Sequence, residues 1–433
     1  MQESFIQHLW SLQYFDKAGL STTEAEPIEV YEPGSLNTDA GPDFSNARIR
    51  IGSMQWIGSV EIHLHSSEWY DHHHDQDGAY DKVILHVVWT DNKPVVRRDG
   101  SRLPTLELRG RVREGMIRSY RQLIGSSFAI PCQQTFPSVN EILKQDMVTK
   151  ALLCRLERKA DEVLALFRSV GNDWEETTYQ LMASAFGFKI NREPFFQLAR
   201  ALPSRILQKH NDIMSTEALL FGTAGFLEDK RGDNYYLALQ KEYRLLAHKY
   251  GLEKERLAKT QWLFLRLRPP NFPTVRIAQL GALLHHSRNF FSKLLESETL
   301  EQLIDLFIVP TSDYWLTHYQ FSKPSALHTS TLGKASLEII VVNTVVPLLA
   351  TYARWADEST YTDRAIRWLE QLPAEENAII RRWHDLGFAP GNSLEAQGQI
   401  ELFNTFCQRK RCLQCTIGAA IVRPSDEHPS DSS

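Results

Sequence analysis

Three segments decide the fold of the first part of this chain: GPDF at 41–44, VEIHLH at 60–65 and VILHVVW at 83–89. Successive side chains of a strand point to opposite faces of its sheet. In the second segment one face is therefore polar, with Glu61, His63 and His65, while the other face is apolar. The pattern predicts a strand whose apolar side supports a row of metal-binding groups.

Short β-rich runs continue on both sides of these segments. Turn residues separate them, and an amphipathic helical pattern precedes them within the first 20 residues. The runs lie at 28–31, 47–51, 55–64, 83–89 and 105–108. We predict that residues 1–125 form a mixed α/β sheet domain.

Beyond Pro131 the pattern changes to long segments with apolar residues at helical spacing, as in 142–170. The fold class predicted for the whole chain is therefore α+β. A larger all-α helical domain is expected at 126–423, with a cysteine cluster near its end, and a disordered polar tail at 424–433. The longest apolar run, 337–350, is too short to span a bilayer and predicts a buried helix.

Composition limits the function classes. The chain has 433 residues, 42% of them hydrophobic, and a formal net charge of −5, which indicates a folded protein and argues against a globally basic nucleic-acid binder. No secretory signal pattern opens the sequence, so a cytoplasmic protein without a membrane partner is expected. Phosphate-loop, dinucleotide and nucleophile-elbow motifs are absent from the sequence, which disfavours nucleotide-dependent and serine-hydrolase chemistry.

The hairpin predicted by the first two segments suggests an active centre. Asp43 lies just before one strand, Gly52-Ser53 can turn the chain, and the returning strand carries Glu61 and His63. Two carboxylates that converge in this way suit Mg²⁺ or Mn²⁺, a neighbouring imidazole can position or deprotonate water, and His65 is a further candidate ligand. The pattern favours metal-assisted hydrolysis.

Pro42-Asp43 and Glu61-Ile62-His63 resemble the motif of the PD-(D/E)XK phosphodiesterase superfamily. That core places an acidic residue after a proline at one strand and Glu-x-Lys on the next. The polar segment 66–77 and the apolar strand 83–89 also fit the superfamily's order of strand, helix and strand. The resemblance implies a nuclease-like fold in which Asp43 and Glu61 bind the metal and His63 replaces the lysine. A neutral histidine does not supply the fixed positive charge of a lysine.

Other interpretations of the same residues stay open. Glu61, His63 and His65 could form the solvated outer face of a sheet, and Asp43 could be a turn residue that accepts bonds from nearby backbone. The polar segment 66–77, with its histidines, favours a solvated helix or loop over a ligand set. In the third segment, His86 is expected to be a satisfied core histidine.

A cysteine cluster near the end of the chain is a second candidate metal site. Cys407, Cys412 and Cys415 form C-x4-C-x2-C, and Cys132, Cys154 or a histidine would complete a four-ligand set, with Cys132 the freer candidate. Zn²⁺ or an iron–sulfur cluster fits such ligands. The layout is similar to that of some PD-(D/E)XK-type nucleases, whose iron–sulfur cluster takes cysteines from the far C-terminus. Unmetallated thiols are the alternative.

Arginines around the PPNFP loop at 269–273 are a further candidate surface. Arg266, Arg268 and Arg276 could face phosphate, although arginines that anchor a loop are the commoner case.

Taken whole, the chain resembles domain-of-unknown-function family 2851, on GPDF at 41–44, GSVEIH at 58–63, LHVV at 85–88, the RPPNFP loop at 268–273 and the segment 407–418. The function predicted from the residues and the superfamily resemblance is a metal-dependent phosphodiesterase that acts on nucleic acid. The alternative is a non-catalytic module that binds nucleic acid or protein on a degenerate nuclease fold.

Overall fold

The computed structural model describes residues 1–37, 39–265 and 267–423, so Arg266 and the predicted tail at 424–433 lie outside the described residues. The chain divides into two compact units. Unit 1 contains residues 1–149, 385–388 and 400–423, and unit 2 contains 150–384 and 389–399. Unit 1 carries a mixed sheet and unit 2 is mainly helical, which confirms the α+β class.

Unit 1 begins with a helix and continues with the strands that the sequence predicted. Its helices and strands are α1 (Glu3–Leu12), β1 (Ile28–Glu32), β2 (Ser35–Leu36), β3 (Phe44–Ile51), β4 (Met54–His65), α2 (Glu68–Asp71), β5 (Val83–Thr90), β6 (Thr105–Glu107) and α3 (Glu114–Gly125). The long helix α4 (Glu141–Ser169) leads from unit 1 into unit 2.

The sheet of unit 1 has the order β1-β3-β4-β5-β6, with β2 paired to β3 at one end. Strands β3 and β4 form an antiparallel hairpin, in which Phe44 pairs with Val60. The strands β4, β5 and β6 are parallel, and Glu61 is in register with His86. The hairpin and the parallel pair therefore meet along β4, the strand with the polar face.

Apolar residues of α1 and α3 cover this sheet. Phe5, Ile6, Leu9 and Trp10 of α1 are fully buried in one core with residues of β3, β4 and β5. On β4, Gly58 permits the close approach of the next strand, because a Cβ at this position would lie 2.5 Å from Cγ2 of Ile84 and 2.6 Å from the carbonyl oxygen of Lys82. The register of the parallel pair thus depends on a residue without a side chain.

Unit 2 is built from short and medium helices around one apolar core. Its elements are α5 (Trp174–Phe186), α6 (Arg192–Ala201), α7 (Ser204–Leu207), α8 (Ile213–Thr223), α9 (Asn234–Tyr250), α10 (Pro273–His286), α11 (Phe290–Glu296), α12 (Leu300–Phe307), β7 (His318–Gln320), β8 (Lys323–Pro324), α13 (Lys334–Ile340), α14 (Val346–Ala356) and α15 (Thr360–Gln371). The hairpin β7–β8 is an exception to the predicted all-α character.

Three further helices complete the described chain: α16 (Ala378–Asp385), α17 (Ser393–Glu401) and α18 (Thr416–Val422). A π-helical turn, Val341–Val345, joins α13 to α14. The resulting stretch Lys334–Ala356 is long and apolar enough to span a membrane, but about two thirds of its most apolar part is buried inside the protein. A core helix has the same length and composition, and this is how the stretch packs.

The division of the chain differs from the predicted boundary at 125/126. Unit 1 continues to Thr149, and residues 400–423 return to it instead of completing the helical region. The reason is apolar burial, because Cys412 and Val422 pack into the same core as Tyr120 of α3. The cysteine cluster therefore belongs to the unit that carries the sheet.

Candidate metal centre

The hairpin brings Asp43 and Glu61 together. The backbone N–H of Asp43 donates to Oε2 of Glu61 at 3.0 Å, and the backbone N–H of Ile62 donates to Oδ2 of Asp43 at 3.1 Å. From α1, the side-chain amide of Gln7 donates to Oδ1 of Asp43 at 2.9 Å and to Oε1 of Glu3 at 3.1 Å. Three acidic side chains thus meet between α1 and the start of the hairpin.

Two of these acids, Asp43 and Glu3, hold a proton more tightly than free carboxylates do. Burial, followed by the negative charges of Glu61 and Glu3, raises the pKa of Asp43 to about 8. Burial, followed by the charges of Glu61 and Glu68, also raises the pKa of Glu3. Like charges that face each other in a partly buried site disfavour full ionisation. A bound cation would remove this penalty, because it would compensate the negative charge directly.

Three histidines adjoin the same carboxylate. The ligand nitrogens of His63, His72 and His74 lie within 4.8 Å of one another. Oε1 of Glu61 is 3.3 Å from Nε2 of His74 and 3.7 Å from Nε2 of His63, and Nδ1 of His72 is 3.1 Å from Nε2 of His63. Glu61 therefore joins the acidic group to the histidine trio.

The histidine connection, residues 66–82 between β4 and β5, determines where His72 and His74 lie. Its short helix α2 starts after Ser66, whose hydroxyl is 2.7 Å from a carboxylate oxygen of Asp91, and it buries Trp69. The chain then turns at His73, which has a positive φ of 60°. This turn separates His72 from His74, yet both rings reach His63.

Aromatic packing holds the far side of the trio. The ring of Tyr80 stacks on that of His74, with the centroids 3.7 Å apart. Asp77 fixes the short turn that carries Tyr80, because its carboxylate accepts a hydrogen bond from the backbone N–H of Ala79 at 2.9 Å. Burial, followed by the charge of Glu61, raises the pKa of Tyr80 to about 12.

The central imidazole is buried and neutral. Burial, followed by the neighbouring His86, lowers the pKa of His63 to about 2, and burial lowers the pKa of His86 to about 3. Nδ1 of His63 lies 2.8 Å from Nε2 of His86. A neutral imidazole is the metal-binding form, and a partner on the other ring nitrogen orients such a ligand. His86 therefore acts as an orienting group for His63.

The fold brings some of the predicted site residues together and leaves one apart. Asp43, Glu61 and His63 are neighbours as predicted, and the solvated-face interpretation is wrong for Glu61 and His63, which are 5% and 1% exposed. His65, at the end of β4, is exposed and lies outside the trio. His72 and His74 take the place that the sequence assigned to His65.

The combined donor set is mixed. Carboxylate oxygens suit hard cations such as Mg²⁺ and Mn²⁺, whereas imidazoles suit Zn²⁺, Fe²⁺, Ni²⁺ and Cu²⁺. Glu61, His63, His72 and His74 are the residues that could hold such an ion, with Asp43 beside them. An ion at this place could polarise a phosphoryl oxygen and lower the pKa of bound water.

The remaining predicted residues lie elsewhere. Cys407, Cys412 and Cys415 are buried and Cys132 is half-buried, all in unit 1 and none of them in a disulfide. In unit 2, the guanidinium of Arg276 is buried and donates to the side chains of Gln279, Asn271 and Ser336, so it anchors the loop. Arg268 is exposed.

Comparison with protein families gives a match over most of the chain. The family described as "Protein of unknown function (DUF2851)" matches residues 3–378. The chain belongs to this family. No curated protein and no solved structure matches the chain.

Proposed function

We propose that this member of the DUF2851 family is a metal-dependent phosphodiesterase that acts on nucleic acid, with its centre at Asp43, Glu61 and the histidine trio. One observation carries the proposal: a single carboxylate, Glu61, lies beside a second acid on one side and beside the imidazoles of His63 and His74 on the other. These donors, around the central strand β4 of the sheet, suit a bound metal ion better than a structural ion pair.

The element order supports the nuclease-like part of the proposal. An N-terminal helix precedes an antiparallel hairpin, in which Asp43 lies just before β3 and Glu61 lies on β4. A short helix then leads to the parallel strand β5. The PD-(D/E)XK resemblance implied this sequence of strand, helix and strand. The acidic residues also occupy the two hairpin positions that the resemblance assigned to metal ligands.

The role of His63 differs from the lysine that it was expected to replace. Its pKa, lowered to about 2 by burial and by His86, keeps the ring uncharged at neutral pH. It therefore serves as a ligand or as an acceptor that positions water, and the metal must supply the positive charge at the reacting phosphate. A metal would also release the proton that Asp43, with its pKa of about 8, retains at neutral pH.

The imidazoles set the metal preference. Mg²⁺ favours oxygen ligands in octahedral geometry, whereas Mn²⁺ accepts nitrogen as well as oxygen. With three imidazoles beside Glu61, we expect Mn²⁺ to support more activity than Mg²⁺ does.

Cleavage of labelled single- and double-stranded DNA and RNA tests the proposal. The full chain is assayed with Mn²⁺, Mg²⁺ or a chelator, beside Glu61→Gln and the control Glu32→Gln, which alters an exposed acid that pairs with Arg48 in the same sheet. We expect Mn²⁺-supported cleavage by the wild type and the control. Glu61→Gln should lose on the order of 10³-fold in rate, because metal-borne charge stabilisation is several kcal/mol.

Two results would overturn the assignment. Equal cleavage by the wild type and Glu61→Gln would place the activity outside this site. If the protein binds manganese through Glu61 but cleaves no polymer, it is not a phosphodiesterase. That result would support the alternative, a non-catalytic module on the same fold.

A further inference from the structure

Four of the five cysteines come together in unit 1. The segment 407–415 supplies three of them, and the fourth, Cys132, comes from a turn before α4 in which its carbonyl accepts from the backbone N–H groups of Thr135 and Phe136. Cys132 packs against the apolar core that contains Cys412. The fifth, Cys154, lies on α4 in unit 2. The fourth position that the C-x4-C-x2-C spacing left open is thus filled by Cys132.

The four thiols are mutual neighbours. Ionisation of Cys412 or Cys415 would raise the pKa of Cys132, ionisation of any of the other three would raise that of Cys407, and ionisation of Cys415 would raise that of Cys412. All six pairs therefore lie within electrostatic range. Burial, and then these neighbours, raise the pKa of Cys132 to about 12 and that of Cys412 to about 11. Three buried thiols and one half-buried thiol, none of them in a disulfide, therefore lie within electrostatic range of one another.

The backbone around the cysteines is held in place independently of the sulfur atoms. Between Cys407 and Cys412 the chain turns at Lys410, which has a φ of 51° and whose ammonium donates to the carbonyl of Ile124 at 2.7 Å. After Cys415, the hydroxyl of Thr416 is 3.3 Å from a carboxylate oxygen of Asp146. A Cβ on Gly418 would lie 2.2 Å from the carbonyl oxygen of Cys412, so α18 packs closely on the cysteine turn.

We propose that Cys132, Cys407, Cys412 and Cys415 bind a metal centre through four thiolates, and that this centre fastens residues 400–423 to the rest of unit 1. Thiolates are the metal-binding form of cysteine, and four of them are the ligand set of structural zinc sites and of iron–sulfur clusters. Ordinary burial of free cysteines would not require all four to converge from two distant segments.

The spacing of the thiols distinguishes the two kinds of centre. Four sulfurs at ~2.3 Å from one tetrahedral Zn²⁺ lie roughly 3.8 Å apart. Within the described part of the chain, the sets of three or more ligand atoms that lie within 4.8 Å of one another include no cysteine set. The wider arrangement favours an iron–sulfur cluster, whose cysteine ligands bind different iron atoms.

Metal analysis of the full chain tests this site without an activity assay, so its outcome is separate from that of the proposed function. The protein is purified without oxygen, or reconstituted with iron and sulfide or with Zn²⁺, and its iron, acid-labile sulfide and zinc are measured beside its visible spectrum. The variants are Cys412→Ser and, as the matched control, Cys154→Ser.

We expect the wild type and Cys154→Ser to carry iron and sulfide, with visible absorbance that a reductant bleaches. Cys412→Ser should hold about tenfold less metal or lower still, because a ligand is lost. If the wild type contains zinc but no iron, and Cys412→Ser loses the zinc, the four-thiolate site stands but its assignment as an iron–sulfur cluster is wrong. A folded wild type that takes up neither metal at the cysteines would overturn the proposal, whether or not Cys412→Ser folds.

Discussion

The two units bury carboxylates in opposite ways. In unit 1, Asp43, Glu61 and Glu3 lie close together, and within the described residues their side chains form no ion pair with a lysine or an arginine. In unit 2, Glu217 is fully buried alone, and the hydroxyls of Tyr235 and Ser312 donate to its two oxygens. One site concentrates negative charge, and the other satisfies a single acid with neutral donors.

This difference separates a candidate binding site from a structural network. A buried carboxylate whose oxygens both accept hydrogen bonds needs no further partner. A group of acids beside imidazoles retains unused capacity to bind a cation, at the expense of stability in its absence. Buried carboxylates occur both in the acidic group of unit 1 and at Glu217 of unit 2. The hydrogen-bond partners of these carboxylates distinguish the two sites.

The largest expected effect concerns pH and unit 2. Burial raises the pKa of Glu217 to about 7 from an unfolded value near 4.5. The folded chain then holds this proton more tightly than the unfolded chain does, so stability is full below pH 4.5 and falls as the pH rises towards 7. We expect a loss of roughly 3 kcal/mol over that window. Urea unfolding at several pH values should show a fall that is smaller by this amount in Glu217→Gln, while the fall that Asp43 contributes through its own raised pKa remains.

The matched control for this effect is Glu193→Gln, an exposed acid on α6, which should follow the wild type. Manganese should leave the Glu217 effect unchanged, since the hydroxyls already satisfy this carboxylate. An unaltered pH slope in Glu217→Gln, or a slope that manganese abolishes, would break the contrast between the two units.

A smaller effect is expected from the histidines of unit 1. His74→Ala removes a ring that lies 3.3 Å from Glu61, whereas His65→Ala alters an exposed ring on the same strand as Glu61. We expect manganese affinity, measured by calorimetry, to fall on the order of 10–100-fold in His74→Ala and to stay unchanged in His65→Ala. If both variants lose manganese affinity equally, His65 is a ligand after all, and the assignment of the site to the histidine trio is wrong.

The sequence predicts the part of this site that depends on strand periodicity. Asp43, Glu61 and His63 follow from a hairpin and from the alternation of side chains along β4. The same alternation suggests His65, but the strand ends there and leaves the ring exposed. His74 could not be predicted in this way, since its place depends on the turn at His73.

Contacts between distant segments also could not be predicted from the sequence. Glu3 and Gln7 reach Asp43 only because α1 packs on the sheet, and an i,i+4 pair on a helix gives no sign of the strand it will meet. The cysteine spacing predicted three members of the second candidate site, and Cys132 was the freer candidate for the fourth, but its approach to the other three depends on the folded path of the chain. In both cases tertiary packing, which local patterns do not encode, completes the group.

The smallest expected effect would show whether the histidine connection is preorganised. Asp77→Ala removes the acceptor that fixes the turn before Tyr80, the ring stacked on His74. We expect a loss of about 1 kcal/mol in unfolding free energy, as for other capping residues. Manganese affinity should fall less than in His74→Ala. The control Asp99→Ala removes a similar turn acceptor, bonded to the N–H of Ser101, away from the histidines. If both variants bind manganese equally well, the metal itself orders the histidine connection. The positions of the three histidines would then not depend on the turn that carries Tyr80.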